Sequence, residues 1–587
     1  MCGIVGTIGN SNIDISKSLS TILHRGPDDS GFFKDEYISL GFRRLSIIDL
    51  SPKGHQPMSN EDNTVWIIFN GEIYNYLELK KKLNSKHCFK SSTDTEVLIH
   101  GYEEWGMEKL LTKINGMFAF CIYDKKKNNA FLARDRIGKK PLYYYINKDY
   151  FAFSSETKAF FKLRDFRFSI DDEMFDLWMG FPYLPDNEKT IIKNVYKVPP
   201  GSYLQIRPGK KFVIKKYWEL RHKTADIGFQ EAQNKLEDLL VDSVTKRLVA
   251  DVPLGILLSG GLDSSLITAL AAKHSGRPVK TITIAFKNSI IDETRYAHAV
   301  AKYWKTDHTD LSLEIGDTYR ELKSHIAIYD DLSTIDSGLF STYLLSRKIR
   351  ELGVKVVLVG EGSDEIFGGY SWFQLSQYPF RRLPDAWKSG LYYYAIARQL
   401  PDRRFFRYAG FLNRKLRETN GQSFFRQIQD YEISYSLPNH YCMKVDKGTM
   451  AASIEARAPY MDYRVVQLAA SLPADYLLRS SIADPRKSNE KYILRRIAEK
   501  YLPDHIRNRK KLGGMMPVYD LLGKGLEADK ELILKNDYLL EYYGRENLGR
   551  LIDSRPTIPA FKWQREWILW KSLLFTLWLN HFDKRHE

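Results

Sequence analysis

The sequence predicts mixed α/β and α+β architecture in two domains, the C-terminal one built on a doubly wound parallel sheet. Three observations carry this. Leu254-Gly255-Ile256-Leu257-Leu258 is a short apolar run typical of a buried parallel strand, and the Gly-rich Ser259-Gly260-Gly261-Leu262-Asp263-Ser264-Ser265 then opens a helical pattern through Leu266, Ile267, Leu270 and Ala271. Residues 279–286 and 354–359 repeat the strand signal, the second run ending in Gly360-Glu361-Gly362-Ser363-Asp364-Glu365. A chain of 587 residues, 43% of them hydrophobic, is long enough for two large cores.

The first third of the chain opens on a reactive pair. Cys2 follows Met1 directly in Met1-Cys2-Gly3-Ile4-Val5-Gly6. Removal of Met1 leaves one residue with a thiol and a free α-amine, whose ordinary pKa of ~7.7–8.0 suits it to take the thiol proton. The alternative is a buried small apolar residue. His24-Arg25-Gly26-Pro27-Asp28-Asp29 is turn-rich, and residues 41–49 read as a strand carrying Arg43 and Arg44. The apolar strand at 65–69 runs into Asn70-Gly71-Glu72. An Asn amide followed by Gly at a strand end can aim an NH₂ and a backbone N–H at one oxyanion, or can simply make a hairpin turn. Asp94 precedes a helical pattern and could act as its N-cap.

In this order these segments resemble the glutaminase domain of class II glutamine amidotransferases, an Ntn-hydrolase αββα sandwich. The resemblance implies that Cys2 attacks the glutamine side-chain amide, with Asn70 and Gly71 forming the oxyanion hole. Arg44, Glu72 and Asp94 would bind glutamine. Arg44 is taken over Arg43 because it precedes Leu45-Ser46-Ile47 as the family's arginine does.

The Ser259–Ser265 string is that of the ATP pyrophosphatases, which cleave ATP between the α and β phosphates. Its backbone N–H groups and the helix start behind it suit a pyrophosphate. In a doubly wound sheet the loops beyond the strand ends share one crevice. Asp263 and Asp364 are then placed to share Mg²⁺, though Asp364 and Glu365 could instead cap a helix.

Over nearly its whole length the chain resembles the glutamine-hydrolysing asparagine synthetase family. Residues 444–450, 455–462 and Lys491-Tyr492-Ile493-Leu494-Arg495 extend the match. The resemblance implies that Lys491 binds pyrophosphate, that Glu361 serves the acyl-adenylate step, and that Leu257, Ile284 and Gly360 line the nucleotide. Asp336 and Arg457 are the acceptor-side candidates. Val359 stands where the family commonly has Ser, so one hydrogen bond to the nucleotide is missing; Asp336 lies where several members carry a nearby Arg, which weakens the case for a dianionic acceptor. Aspartate remains the leading acceptor by resemblance, with a larger carboxylate such as a sugar uronic acid or cell-envelope precursor as the alternative. Arg509-Lys510-Lys511 is either a further phosphate-facing patch or a solvated turn.

The expected domains are 2–215, the glutaminase, and 226–587, the ATP-binding domain. ATP and Mg²⁺ are the expected cofactors; glutamine and a carboxylate acceptor are the other small-molecule partners. The four cysteines show no metal or disulfide spacing, and no signal peptide or bilayer-length apolar run is present, so a cytoplasmic protein is expected. The net charge of +16 raises a nucleic-acid reading, but charge alone reports non-specific attraction. Much of it lies in residues 370–426, read as a solvated helical subdomain, an anionic-acceptor site or a partner or membrane contact. An RNA-modifying ATP pyrophosphatase would not need Cys2, and a non-catalytic scaffold would be expected to lose some of these residues; no nucleic acid is expected. A homodimer is left open.

Overall fold

The computed structural model describes all residues except 1, 10–12, 209, 287–293, 314–317, 378, 398–402, 419–422, 480–488, 508–527 and 584–587. Arg509-Lys510-Lys511 therefore lies outside the described residues.

The strands of the first half are β1 (Gly3–Ile8), β2 (Asp29–Lys34), β3 (Ile38–Arg44), β4 (Met58–Ser59), β5 (Val65–Ile73), β6 (Gly116–Asp124), β7 (Asn129–Arg134), β8 (Tyr143–Ile146), β9 (Phe151–Ser154), β10 (Val195–Lys197), β11 (Ser202–Ile206) and β12 (Val213–Lys216). They form two six-stranded sheets, ordered β10-β8-β9-β1-β3-β2 and β12-β11-β7-β6-β5-β4. Side chains alternate across each strand, so both faces of each sheet can be buried. On β5, Ile68 joins Ile4, Leu40 and Phe42 between the sheets. Its neighbours Ile67 and Phe69 face Leu79, Leu98 and Leu110 of the outer helices Tyr76–Leu83 and Thr95–Lys113. Beyond the first sheet, Val5 and Tyr145 meet Leu19, Phe160 and Trp178. The result is the four-layered αββα sandwich the sequence predicts.

The second half centres on a five-stranded sheet of β13 (Leu254–Leu257), β14 (Lys280–Phe286), β15 (Asp307–Leu313), β16 (Val356–Leu358) and β17 (Glu455–Arg457). All its pairings are parallel, in the order β15-β14-β13-β16-β17. The order reverses between β13 and β16, so the crevice at this switch point is flanked by the two loops read from sequence. Two strands escaped that reading. β15 is half polar, and β17 is a three-residue run, Glu-Ala-Arg, with no apolar signature.

The basic-aromatic segment folds into the helices Asp385–Ala397 and Arg403–Arg417, whose Tyr392, Tyr393, Phe405, Tyr408 and Leu412 are buried. The 25-residue helix Pro559–Asp583 returns to the first half, where Trp570, Leu573 and Trp578 pack in one core with Phe175 and Trp178. Among the described residues no helix is long and apolar enough to cross a membrane.

Candidate active sites

The first site lies where the N-terminal end of β1 meets the C-terminal ends of β3, its antiparallel neighbour, and of β5 in the facing sheet. Cys2 is 8% exposed; its backbone N–H donates to Asn70 Oδ1 at 3.0 Å and its carbonyl accepts from Arg25 Nε at 3.2 Å. Arg25 is in turn fixed by Glu156 and Asp446, each 2.9 Å away. Asn70-Gly71 makes no turn: β5 runs on through both, paired with Ala119 and Phe118, to Ile73. Asn70 Nδ2 is buried without a hydrogen-bond partner, which fits a donor that waits for an oxyanion.

One pocket is lined by Cys2, Arg44, Gly71, Glu72, Asp94 and Glu455. Arg44 is held from behind by the carbonyls of Ser51 and Asp49. Asp94 occupies the N-cap position of the helix Thr95–Lys113 but makes no capping bond; its carboxylate accepts from Ile73 N at 2.7 Å instead. Burial, reinforced by Glu455 and eased by the Ile73 amide, pushes Asp94 up to about 7. Burial and the Asp94 charge push Glu72 well above the usual carboxylate range. Burial also raises the Cys2 thiol, eased by the Leu45 amide and Arg44. A pocket with a thiol, an arginine and three carboxyl groups suits a zwitterion whose side chain reaches the sulfur.

Glu455 comes from the other half of the chain, on β17, and sequence reasoning gave it no role. Arg457, expected at the acceptor, is two residues along the same strand and therefore on the same face. It is fully buried, 2.6 Å from Glu455 and 3.3 Å from Glu72, and donates to the carbonyls of Arg247 and Val249. The structure thus places its guanidinium behind the Cys2 pocket, against Glu72 and Glu455. Despite burial, surrounding positive charge including Arg457 and Lys140 holds Glu455 down at about 2.

The second site is the switch-point crevice. Gly260 turns the loop after β13 at φ +68°, where a Cβ would lie 2.5 Å from Ala297 N. Ser259 and Ser264 hydroxyls lie 3.1 Å apart, Ser264 Oγ accepts from Ser259 N, and Gly261 N donates to Ser259 Oγ. Ser265 is buried, while Leu257 and Ile284 are half-buried beside the apolar core behind β14. Gly360 brings the β16 loop close enough that a Cβ there would lie 3.2 Å from Ser264 N.

Lys491 joins the two loops. Its ammonium is 2.6 Å from Asp263 and 2.8 Å from Asp364, and Ser363 Oγ donates to Asp263 at 2.8 Å. Gly369 makes room for it: a Cβ there would meet Lys491 Cε at 2.1 Å. Burial opposes the ammonium charge, but the two carboxylates outweigh it and raise Lys491 above the ordinary lysine value. Two carboxylates within reach of one cation, with serine hydroxyls beside them, form the hard oxygen set that suits Mg²⁺.

Glu361 faces Lys444 at 3.5 Å, and Lys444 also lies 3.9 Å from Asp336. Asp336 caps the helix Ser337–Glu351 through Gly338 N at 2.7 Å. It therefore fills the capping role and borders the crevice through Lys444, whose role no sequence pattern marks.

Between the sites lies a cavity lined by Met117, Lys139, Val359, Glu361, Ala456 and Ala458 among others. It offers about 30 Å³ to the centres of water-sized molecules, room enough for ammonia. β17 separates the two spaces: Glu455 borders the Cys2 pocket, and the next residue, Ala456, borders this cavity.

Residues 1–218 match the family model described as a glutamine amidotransferase domain, and residues 235–580 match the one described as asparagine synthase. The glutamine-hydrolyzing asparagine synthetase 1 of Bacillus subtilis is 31% identical, the alignment covering 100% of this chain and 98% of the relative. Asparagine synthetase 3 of the same organism is 30% identical over 87% of this chain and 86% of its own length. The maize enzyme of that name is 32% identical over 87% and 77%. With both family models matched in tandem over most of its length, the chain belongs to the asparagine synthase family and carries a glutamine amidotransferase domain ahead of the synthase domain.

Proposed function

We propose that the chain makes asparagine from aspartate, with glutamine as nitrogen donor and ATP as co-substrate, and that the two activities divide between residues 2–215 and 226–587. The observation that carries this reading is β17, one strand with the Cys2 pocket on one side and the cavity toward Glu361 on the other.

In the first site Arg44 takes the glutamine α-carboxylate, and Asp94 with Glu72 takes the α-ammonium. Once Met1 is removed, the Cys2 amine accepts the thiol proton and sulfur attacks the amide carbon. Asn70 Nδ2 and the Gly71 N–H stabilise the oxyanion, and ammonia leaves into the protein. Water then releases glutamate from the thioester.

In the second site the Ser259–Ser265 loop and Lys491 hold the phosphates. Mg²⁺, held by Asp263 and Asp364, would neutralise polyphosphate charge. Leu257, Ile284 and Gly360 flank the nucleotide. The aspartate side-chain carboxylate displaces pyrophosphate, and ammonia arriving through the cavity displaces AMP, with Glu361 placed to take the proton that the attacking nitrogen loses. Exclusion of water protects the activated acyl group.

Cys2→Ala tests the division. Glutamine-dependent asparagine formation should vanish while ammonia-dependent formation, with AMP and pyrophosphate as products, persists. Equal loss of both activities in a folded variant, or release of ADP and phosphate, overturns the reading.

A further inference from the structure

Away from both sites, two imidazoles and two carboxylates converge at the surface of the αββα sandwich. His100 and Glu103 lie on the helix Thr95–Lys113, His87 on the loop before it, and Glu61 on the turn between β4 and β5. His100 Nδ1 is 3.0 Å from Glu103 and 3.8 Å from Glu61; His87 Nδ1 is 3.7 Å from each. One ligand atom from each residue fits within a mutual distance of 4.8 Å. An ion with tetrahedral bonds of ~2.0–2.1 Å sets its ligand atoms about 3.3–3.4 Å apart, somewhat closer than most of the spacings found here, so the site would tighten on binding.

We propose that Glu61, His87, His100 and Glu103 form a binding site for a divalent transition ion of the zinc class. The surrounding groups support it. Each imidazole turns Nδ1 inward and Nε2 toward a further carboxylate: His87 to Glu104 at 3.3 Å and His100 to Glu96 at 3.7 Å. At His87, where the contact is a hydrogen bond, this outer carboxylate is the arrangement that orients metal-binding imidazoles; His100 and Glu96 stand at ion-pair distance. The carboxylates are held too. Glu103 accepts from Asn60 Nδ2 at 2.7 Å, Glu61 from Cys88 N at 3.1 Å, and Glu96 from the amides of Lys90 and Ser91. His100 is 1% exposed; its ring stacks on His87 at 4.4 Å, so the more exposed His87 must swing for both Nδ1 lone pairs to meet one ion. Four carboxylates surround two imidazoles, so a divalent ion brings no more charge than two imidazolium protons would. Bound there, it ties the 84–94 loop to the helix whose first residue, Thr95, lines the Cys2 pocket with Thr93 and Asp94.

The test uses the full-length chain with Cys2→Ala, which removes the pocket thiol as a competing ligand. Zinc is titrated calorimetrically, and Co²⁺ replaces it for visible spectroscopy. The expected result is saturable uptake at this site, a Co²⁺ spectrum of four-coordinate intensity, and a rise in melting temperature with zinc. His87→Gln and Glu61→Gln, at part-exposed positions, each remove a proposed ligand and should weaken binding by more than the roughly ten- to a hundredfold that loss of an outer partner costs, enough to abolish the Co²⁺ bands. Absence of uptake, or equal uptake by parent and both variants, as binding at His298, His308 and Asp310 would give, overturns the proposal.

Discussion

Lys491→Met removes the cation that joins the two loops of the synthetase crevice while keeping the length of the side chain. Lys491 is 5% exposed and makes two charge-assisted contacts, 2.6 and 2.8 Å long, to Asp263 and Asp364. Breaking a buried pair by removing one partner costs roughly 3–5 kcal/mol. The Asp263 and Asp364 side chains keep 22% and 18% exposure, so water relieves part of this cost and the lower end applies. The effect on rate is separate. Loss of one preorganised donor at a site of developing charge costs about 2.7–4 kcal/mol, or roughly 10²–10³-fold in kcat. Aspartate-dependent pyrophosphate release with ATP and ammonia should fall by that factor. Basal glutamine hydrolysis should stay near its parent value, because Cys2 and its pocket do not touch Lys491. If pyrophosphate release falls less than tenfold while the melting temperature drops, Lys491 is only a structural tie and its phosphate role is refuted.

Two further outcomes follow from the same geometry. Asp94 holds an ammonium only as a carboxylate, so with its pKa raised to about 7 the kcat/KM for glutamine should fall as pH drops through that value; Asp94→Asn should lose this limb. The sign for stability is opposite: a carboxyl raised in the folded state stabilises at low pH and loses that contribution as pH rises through about 7, so glutamine should raise the melting temperature of the Cys2→Ala chain more at pH ~8 than at pH ~6. Asp336→Asn keeps an acceptor for Gly338 N but removes the charge 3.9 Å from Lys444; the KM for aspartate should fall severalfold with glutaminase kinetics unchanged, and an unaltered acceptor profile would limit Asp336 to its capping role.

The legible parts of the sequence were those whose function is written in a contiguous string. Ser259–Ser265 and Gly360–Glu365 each pair a strand, a turn and a helix start, so their shared crevice followed from the parallel topology. Cys2 and Asn70 were legible as chemistry, but the continuation of β5 through Gly71 was not, because an Asn-Gly pair signals a turn more strongly than a strand. β17 was hidden for a different reason. Its Glu455 and Arg457 are buried against Glu72 of the other half, and such long-range ion pairing replaces the apolar pattern that normally marks a central strand. That concealed Glu455 from the Cys2 pocket and gave no sign that Arg457 would pack behind it, against Glu72 and Glu455. The Glu61, His87, His100 and Glu103 cluster has no short ligand spacing; it exists only because a turn, a loop and a helix meet. Lys444 was quoted within a matching string, yet its contacts with Glu361 and Asp336 come from the packing of Cys442–Met450 beside the crevice.

On the proposed route nitrogen moves from the Cys2 pocket past β17 to the acyl group without entering bulk water. The most direct measurement supplies amide-labelled glutamine together with an equal concentration of unlabelled ammonium, aspartate, ATP and Mg²⁺, and follows the label in asparagine by mass spectrometry. The expected product is asparagine whose side-chain nitrogen comes almost wholly from glutamine. Label diluted to the ratio of the mixed bulk ammonia pool would contradict it.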